Sequence, residues 1–233
     1  MAESEVKVLG VWASPFVLRP RIALNIKDVK YEFIEENMQS KSKLLLKSNP
    51  VYKKVPVLVH GDKPISESLN IVEYIDEAWS SGPSILPSDP YDRALERFWV
   101  AFINDKWSAT IKGIDIADGE EAKKAAVDQV VEILVLLEEA FKKCSKGKAF
   151  FGGDRIGYVD IAFGCYLGWL RVREKHHEVT LLDQAKTPEL VKWVERFSEH
   201  PAVVGVMPEL EKLGEFAKGV FAKMRAAANL PPK

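Results

Sequence analysis

The sequence has 233 residues, of which 47% are apolar and 29% charged, enough for a sizeable core in one large or two small domains and unlike a disordered chain. Lys plus Arg number 33 against 34 Asp plus Glu, and a cut near residue 80 leaves 11 basic and 11 acidic residues before it and 22 and 23 after it. Neither part is basic, which argues against a nucleic-acid partner, and apolar runs such as Ile133–Leu137 fall far short of a membrane span.

Two textures meet near residue 80. Val6–Trp12 is an apolar run bounded by charge and Ser-Pro, which predicts a buried strand. A helical pattern follows over Pro15–Lys27, a second strand over Tyr31–Glu35 and a short polar helix over Gln39–Ser48. Val55–Val59 and Lys63–Ile65 predict two strands across the turn His60-Gly61-Asp62, and Glu67–Trp79 an amphipathic helix. The order βαβαββα implies one mixed sheet with helices on its faces, over residues 1–80.

Residues 81–89, rich in Gly, Pro and Ser, read as a linker. Residues 90–233 predict helices alone. Asp89-Pro90 is an N-cap with Pro at the first helical position, opening a helix to about Ile116. Val127, Val130, Val131, Leu134, Leu137 and Phe141 make one buried stripe over Glu120–Cys144. Tyr158–Lys175 is nearly apolar and predicts a central helix; Thr187-Pro188 and His200-Pro201 mark two more helix starts, and Pro208–Ala228 a last helix.

The N-terminus, MAESEVKVLG, is acidic and lacks the basic-then-apolar order of a secretory signal. Two cysteines, Cys144 and Cys165, cannot build a disulfide framework, so a reducing, cytoplasmic location is the expectation. His60, His176, His177 and His200 fit no metal-ligand spacing, and no metal is expected.

Three stretches carry chemistry. In WASPFVLRPR, Ser14 stands where the first strand gives way to the first helix, either as a plain N-cap or as a hydroxyl beside backbone N–H groups that favour an anion such as a thiolate. Pro20 falls five residues into that helix and predicts a kink or an irregular first turn. In NPVYKKVPVLV, Pro56 interrupts a β-branched run, fitting either an edge strand or a cis Val55–Pro56 bond that presents the Val55 backbone to an extended peptide. In PISES, Ser68 can offer its hydroxyl and N–H to a carboxylate, while Glu67 serves either the helix dipole or an ammonium. Together these describe the two ends and the thiol of a small zwitterionic tripeptide.

WASPFVLRPRIAL, KSKLLLKSNPVYKKVPVLVHGDKPISESLNIVEYIDE and GDRIGYVDIAFG make the chain resemble a plant tau-class glutathione transferase over essentially its whole length. The resemblance implies a thioredoxin-like N-terminal domain followed by an all-helical domain. It implies that Ser14 is the catalytic serine, that Lys41 and Lys54 lie near the glycyl carboxylate of glutathione, that Val55 before cis-Pro56 anchors the cysteinyl unit, and that Glu67 and Ser68 hold the γ-glutamyl end. It nominates Phe16, Trp107, Ile111, Trp169 and Phe216 for a hydrophobic electrophile in a cleft between the domains. It also implies a homodimer joining the third helix of one subunit to the fourth of the other, with Glu77, Arg93 and Arg97 at the joint. Gly157–Asp160 resembles a helix-capping element of the family in which Gly157 replaces the usual Ser or Thr. The implied activity is conjugation of glutathione, a co-substrate rather than a resident cofactor, to hydrophobic electrophiles. A non-catalytic carrier of hydrophobic molecules is the alternative, and thiol exchange ranks last because that chemistry needs a cysteine where Ser14 stands.

Overall fold

The structure, a computed structural model, describes residues 5–228; residues 1–4 of the acidic N-terminus and residues 229–233 of the domain expected at 90–233 lie outside it. Strand β1 (Val6–Gly10), helix α1 (Pro15–Ile26), β2 (Glu32–Glu35), α2 (Lys43–Ser48), β3 (Val57–His60), β4 (Lys63–Ser66) and α3 (Ser68–Ala78) follow in the order read from the sequence. The strands form one sheet, β2-β1-β3-β4, in which β1 runs parallel to β2 and antiparallel to β3, and β3 antiparallel to β4. The parallel pair needs a crossover, which α1 supplies. Val8 lies between Phe33 and Leu58, and Leu58 pairs on its other side with Ile65, so β1 is central and reads as a continuous apolar run. This is the thioredoxin-like arrangement.

Gly10 ends β1 where the sheet meets α1: a Cβ there would come 2.3 Å from Val17 Cγ1. The absent side chain lets strand and helix close up at the handover that carries Ser14.

Several boundaries differ from the sequence expectations. Helix α2 starts at Lys43, not Gln39, because the Ser42 Oγ accepts from Leu45 N at 3.0 Å and fixes the first turn there. Strand β3 starts at Val57: the Val55–Pro56 bond is cis, and Pro56 has no N–H for a ladder. Helix α1 runs unbroken through the buried Pro20. Pro20 lacks only the N–H that would meet the carbonyl of Phe16, in the helix's first turn, so one bond near the end is forgone rather than one mid-helix.

The helical part comprises α4 (Pro90–Phe102), a π-helical turn over Ile103–Trp107, α5 (Ser108–Ile116), α6 (Glu120–Ser145), α7 (Tyr158–Gly164), α8 (Leu167–His177), α9 (Pro188–Glu199), α10 (Pro201–Val204) and α11 (Leu210–Ala228). Asp89 caps α4, accepting from Tyr91 N and Asp92 N at 2.9 Å each. The helix expected to reach Ile116 does so, with the π turn inside it. The single helix expected over Tyr158–Lys175 is two: a Tyr166 N to Phe163 O bond of 3.0 Å tightens the backbone at Cys165-Tyr166. All of α7 is buried, while α8 carries charge on one side. Gly164 permits this burial, since a Cβ would lie 2.2 Å from the Phe197 ring.

Two buried carboxylates organise the helical core. Glu138 on α6 accepts from Glu189 N at 3.2 Å and Leu190 N at 2.9 Å, capping α9 from outside its own sequence. Asp160 accepts from Gly157 N at 2.8 Å, Phe151 N and Gly152 N at 2.9 Å each, and Trp193 Nε1 at 2.7 Å. Gly157 has no side chain to return the bond, so only the Asp160 half of the capping element exists. Burial pushes the Asp160 pKa up to about 6, against the four N–H donors that pull it down.

The chain divides into two compact units, one running through Ser88 and including Ser198–Met207, the other comprising Asp89–Phe197 and the chain from Pro208. Asn25 on α1 donates to Ala202 O on α10 at 2.9 Å, inside the first unit. The stretch read as a linker is fastened at its middle: Asp76 accepts from Ile85 N at 2.8 Å and Leu86 N at 3.0 Å and pairs with Lys27 Nζ at 2.6 Å. Among the described residues no helix is long and apolar enough to cross a membrane.

Candidate functional site

Ser14 occupies the N-cap position of α1 with extended backbone, φ −81° and ψ 121°, yet its side chain makes no capping hydrogen bond. Its backbone does the local work: Ser14 N donates to Val11 O at 2.9 Å, and Ser14 O accepts from Val17 N and Leu18 N at 3.1 and 3.2 Å. Pro15 at the first helical position presets the helical φ and needs no N–H there. A half-buried hydroxyl is thus left at the positive end of a twelve-residue helix. Beside it, the Glu35 carboxylate takes Trp12 N at 3.2 Å and fixes the turn between strand and helix.

Glu67 and Ser68 begin α3. Glu67 is exposed and adopts φ 72°, the left-handed region that a branched-chain-free but bulky L residue occupies only when its surroundings demand it. Ser68 is buried, and Arg19 Nη1 donates to its Oγ at 3.1 Å. That bond leaves the Ser68 proton to be directed elsewhere. Arg19 is fully buried on α1 and stacks 5.2 Å from the Phe16 ring, so one side chain joins the helix of Ser14 to the helix of Ser68. In the sequence Arg19 stands out only as a charge one turn into a helix that is otherwise apolar on its inner face, and it was not among the expected site residues.

Asn49 was missed as well. It is buried, receives Tyr52 N on Oδ1 at 3.1 Å and donates from Nδ2 to Lys54 O at 3.1 Å, so its amide spans the loop that delivers Lys54, Val55 and cis-Pro56. Val55 is half-buried against Leu9, Leu45 and Val57, outside the ladder that starts at Val57. Lys54 is exposed, its Nζ 5.8 Å from the Tyr52 ring, and Lys41 is half-buried just before Ser42. Ser42 in turn donates Oγ–H to the buried Glu36 at 2.6 Å, and Glu36 N donates to Gly10 O at 2.7 Å, tying this region to the end of β1. The first unit therefore brings Ser14, Lys41, Lys54, Val55, Pro56, Glu67 and Ser68 to the ends of its strands and the starts of its helices, as an open α/β sheet does with ligand sites.

Of the residues nominated for a hydrophobic partner, Phe16 is half-buried in the first unit. In the second, Trp107 is fully buried and Ile111 3% exposed, both core side chains, whereas Trp169 is half-buried and Phe216 is 42% exposed.

Residues 4–77 match the glutathione S-transferase N-terminal domain and residues 91–201 the glutathione S-transferase C-terminal domain. The chain belongs to the glutathione S-transferase family. Glutathione S-transferase U17 of Arabidopsis thaliana is 62% identical over 227 residues, covering 97% of this chain and 100% of that protein. A tau-class glutathione S-transferase from mango, Mangifera indica, is 66% identical with a TM-score of 0.90, covering 94% of this chain and 100% of that one. A rice glutathione S-transferase solved in complex with glutathione is 34% identical with a TM-score of 0.87, covering 96% of this chain and 99% of that one. Within the family, this chain is tau class. The stretches that carried the resemblance, including both serine-bearing helix starts, lie inside the matched domains.

Proposed function

We propose that this transferase attaches glutathione to hydrophobic electrophiles, with the Ser14 Oγ–H donating to the thiolate sulfur. The observation that carries it is a serine at a helix N-terminus whose hydroxyl caps nothing. A free thiol ionises near pH 8.5, so only a few per cent is thiolate at neutrality. Lowering that by about two units requires about 2.7 kcal/mol, within the reach of one hydrogen bond to a charged group plus a helix-dipole contribution. The thiolate then attacks an electrophilic carbon held beside it. The C–S bond forms as the carbon's bond to its leaving group (halide, in an aryl halide) breaks and that group departs with the electron pair. Glutathione is consumed, so the step itself calls for no resident cofactor or metal.

The same proposal seats the rest of the tripeptide. Val55 pairs its backbone with the cysteinyl unit, Glu67 and Ser68 take the γ-glutamyl ammonium and carboxylate, and Lys41 and Lys54 face the glycyl carboxylate. The glutathione bound to the rice relative supports this ligand. Within the second unit, Trp169 and Phe216 offer accessible aromatic surface to the electrophile. Thiol exchange through the chain's own cysteines is disfavoured: Cys165 is buried, and burial pushes the Cys144 thiol up to about 11. The same proposal includes a cytoplasmic homodimer joined through α3 and α4, with Glu77, Arg93 and Arg97 at the joint; Tyr91 and Phe98 on α4 are 71% and 58% exposed, large side chains suited to a partner.

Thiolate absorbance of the binary complex, titrated against pH, tests the central step. Bound glutathione should ionise about two pH units below glutathione in buffer; equal midpoints would remove thiolate stabilisation from the account. A second test addresses the loop. Asn49→Ala removes both bonds that span Tyr52 to Lys54, so the Michaelis constant for glutathione should rise several-fold and stability fall by about 2 kcal/mol, with kcat at saturation nearly kept. Loss of kcat at unchanged Michaelis constant would contradict a positioning role in binding.

A further inference from the structure

The second unit holds a buried charged cluster that the conjugation chemistry above does not use. Asp115 on α5 is fully buried, and Arg173 on α8 grips it with a fork: Nε lies 3.1 and 3.0 Å from the two carboxylate oxygens and Nη2 2.7 Å from Oδ2. His177, one turn further along α8, places Nε2 3.1 Å from Oδ1 of the same carboxylate. Burying an ion pair gains little over packing apolar groups there, so the value of such a cluster lies in the geometry it imposes.

That geometry concerns aromatic rings. The Arg173 guanidinium sits 5.4 Å from the Trp169 ring and 5.2 Å from the Phe221 ring, and Nη1 also donates to the Trp169 carbonyl at 3.3 Å. Trp169 meets Phe221 at 6.1 Å and Phe216 at 6.4 Å, both edge-on. Trp169 thus has one side against a cation whose plane is fixed by a buried carboxylate, while its neighbour Phe216 is 42% exposed. A planar, bidentate guanidinium is suited to holding a ring in one orientation; a lysine ammonium is a point charge and is not.

We propose that Arg173, set by Asp115 and His177, is a positioning residue for electrophile choice: it fixes Trp169 so that Trp169 and Phe216 form a rigid aromatic corner that favours flat, aromatic electrophiles over small aliphatic ones. This rests on the assignment of Trp169 to the electrophile.

Steady-state kinetics of Arg173→Lys, with an aryl halide and a small aliphatic electrophile, are compared with near-ultraviolet circular dichroism in the presence and absence of Trp169→Phe. The Michaelis constant for the aryl halide should rise about tenfold, while those for glutathione and the aliphatic electrophile stay within twofold. The dichroism change caused by Arg173→Lys should vanish in the Trp169→Phe background. Should Arg173→Lys fail to fold, Asp115→Asn with Arg173→Gln removes both charges together and is held to the same readouts. Parallel losses with both electrophiles, or an unchanged aryl halide constant, would overturn the proposal. A Trp169→Ala variant separates the two levels: if it leaves aryl halide kinetics unaltered, the assignment of Trp169 fails; if it alters them while Arg173→Lys does not, only the positioning role of Arg173 fails.

Discussion

Replacing Ser14 by Ala should cut conjugation turnover at pH 7 at least tenfold, leave the affinity for glutathione within a few-fold, and leave stability almost untouched. The last clause separates the two roles of a serine at a helix start. A capping serine lost to Ala costs about 1 kcal/mol of stability, but here the side chain makes no capping bond, and the bonds around Ser14 run through its backbone, which Ala keeps. What Ala removes is a donor to sulfur, worth roughly 1.5–3 kcal/mol when the acceptor is charged. That moves the thiol pKa up by one to two units. The deficit should therefore depend on pH: it should be largest below about pH 6.5, shrink as pH rises through neutrality and nearly vanish above about pH 8.5, where thiolate forms without help. A deficit of the same size at every pH, or a variant that unfolds earlier than the parent, would point to a structural serine.

The order of elements in the first unit was legible because each strand is a short apolar run closed by charge or by Gly and Pro, and each helix has its own start signal. Asp89-Pro90 marks a helix start that the structure keeps, whereas the pattern over Gln39–Ser48 places the start of α2 too early, ahead of the Ser42 cap. What the sequence could not show is which of two chemically reasonable uses a residue takes. Ser-Pro at Ser14 fits a cap and fits an anion site, and only the structure shows that the side chain makes no capping bond. Val-Pro at Val55 likewise fitted two geometries until the cis bond and the strand start at Val57 were seen.

The distant partners of buried charges were not legible. Arg19 meets Ser68 across 49 positions and Arg173 meets Asp115 across 58, and no local pattern in either neighbourhood announces the partner. The break between α7 and α8 was invisible for a different reason: apolar residues continue through Cys165-Tyr166, so hydrophobic pattern alone predicts one long helix. Local periodicity reports burial, and neither the direction of a helix nor the partner of a charge follows from burial.

Asp160→Asn should cost more stability than Ser14→Ala or Asn49→Ala. Each carboxylate oxygen accepts two bonds: Oδ1 from Phe151 N and Trp193 Nε1, Oδ2 from Gly152 N and Gly157 N. An amide keeps one accepting oxygen and turns an NH2 toward two N–H donors that have no water to turn to, since Asp160 is fully buried. Two lost bonds to a charged acceptor correspond to roughly 3–5 kcal/mol, a fall in thermal midpoint of about 10 °C for a chain of this size. The pH dependence carries a sign. Burial holds the folded pKa at about 6, above the 3.8 of the unfolded chain. Between those values the folded protein binds a proton that the unfolded chain does not, so this group's contribution to stability falls as pH rises from about 4 to about 6 and is level above. Asn does not titrate. The stability gap between parent and variant, measured by denaturant unfolding across that range, should narrow by up to about 3 kcal/mol toward pH 6 and then stay constant. A gap that instead widens as pH rises would mean that the four donors outweigh burial and that the carboxylate ionises below its ordinary range.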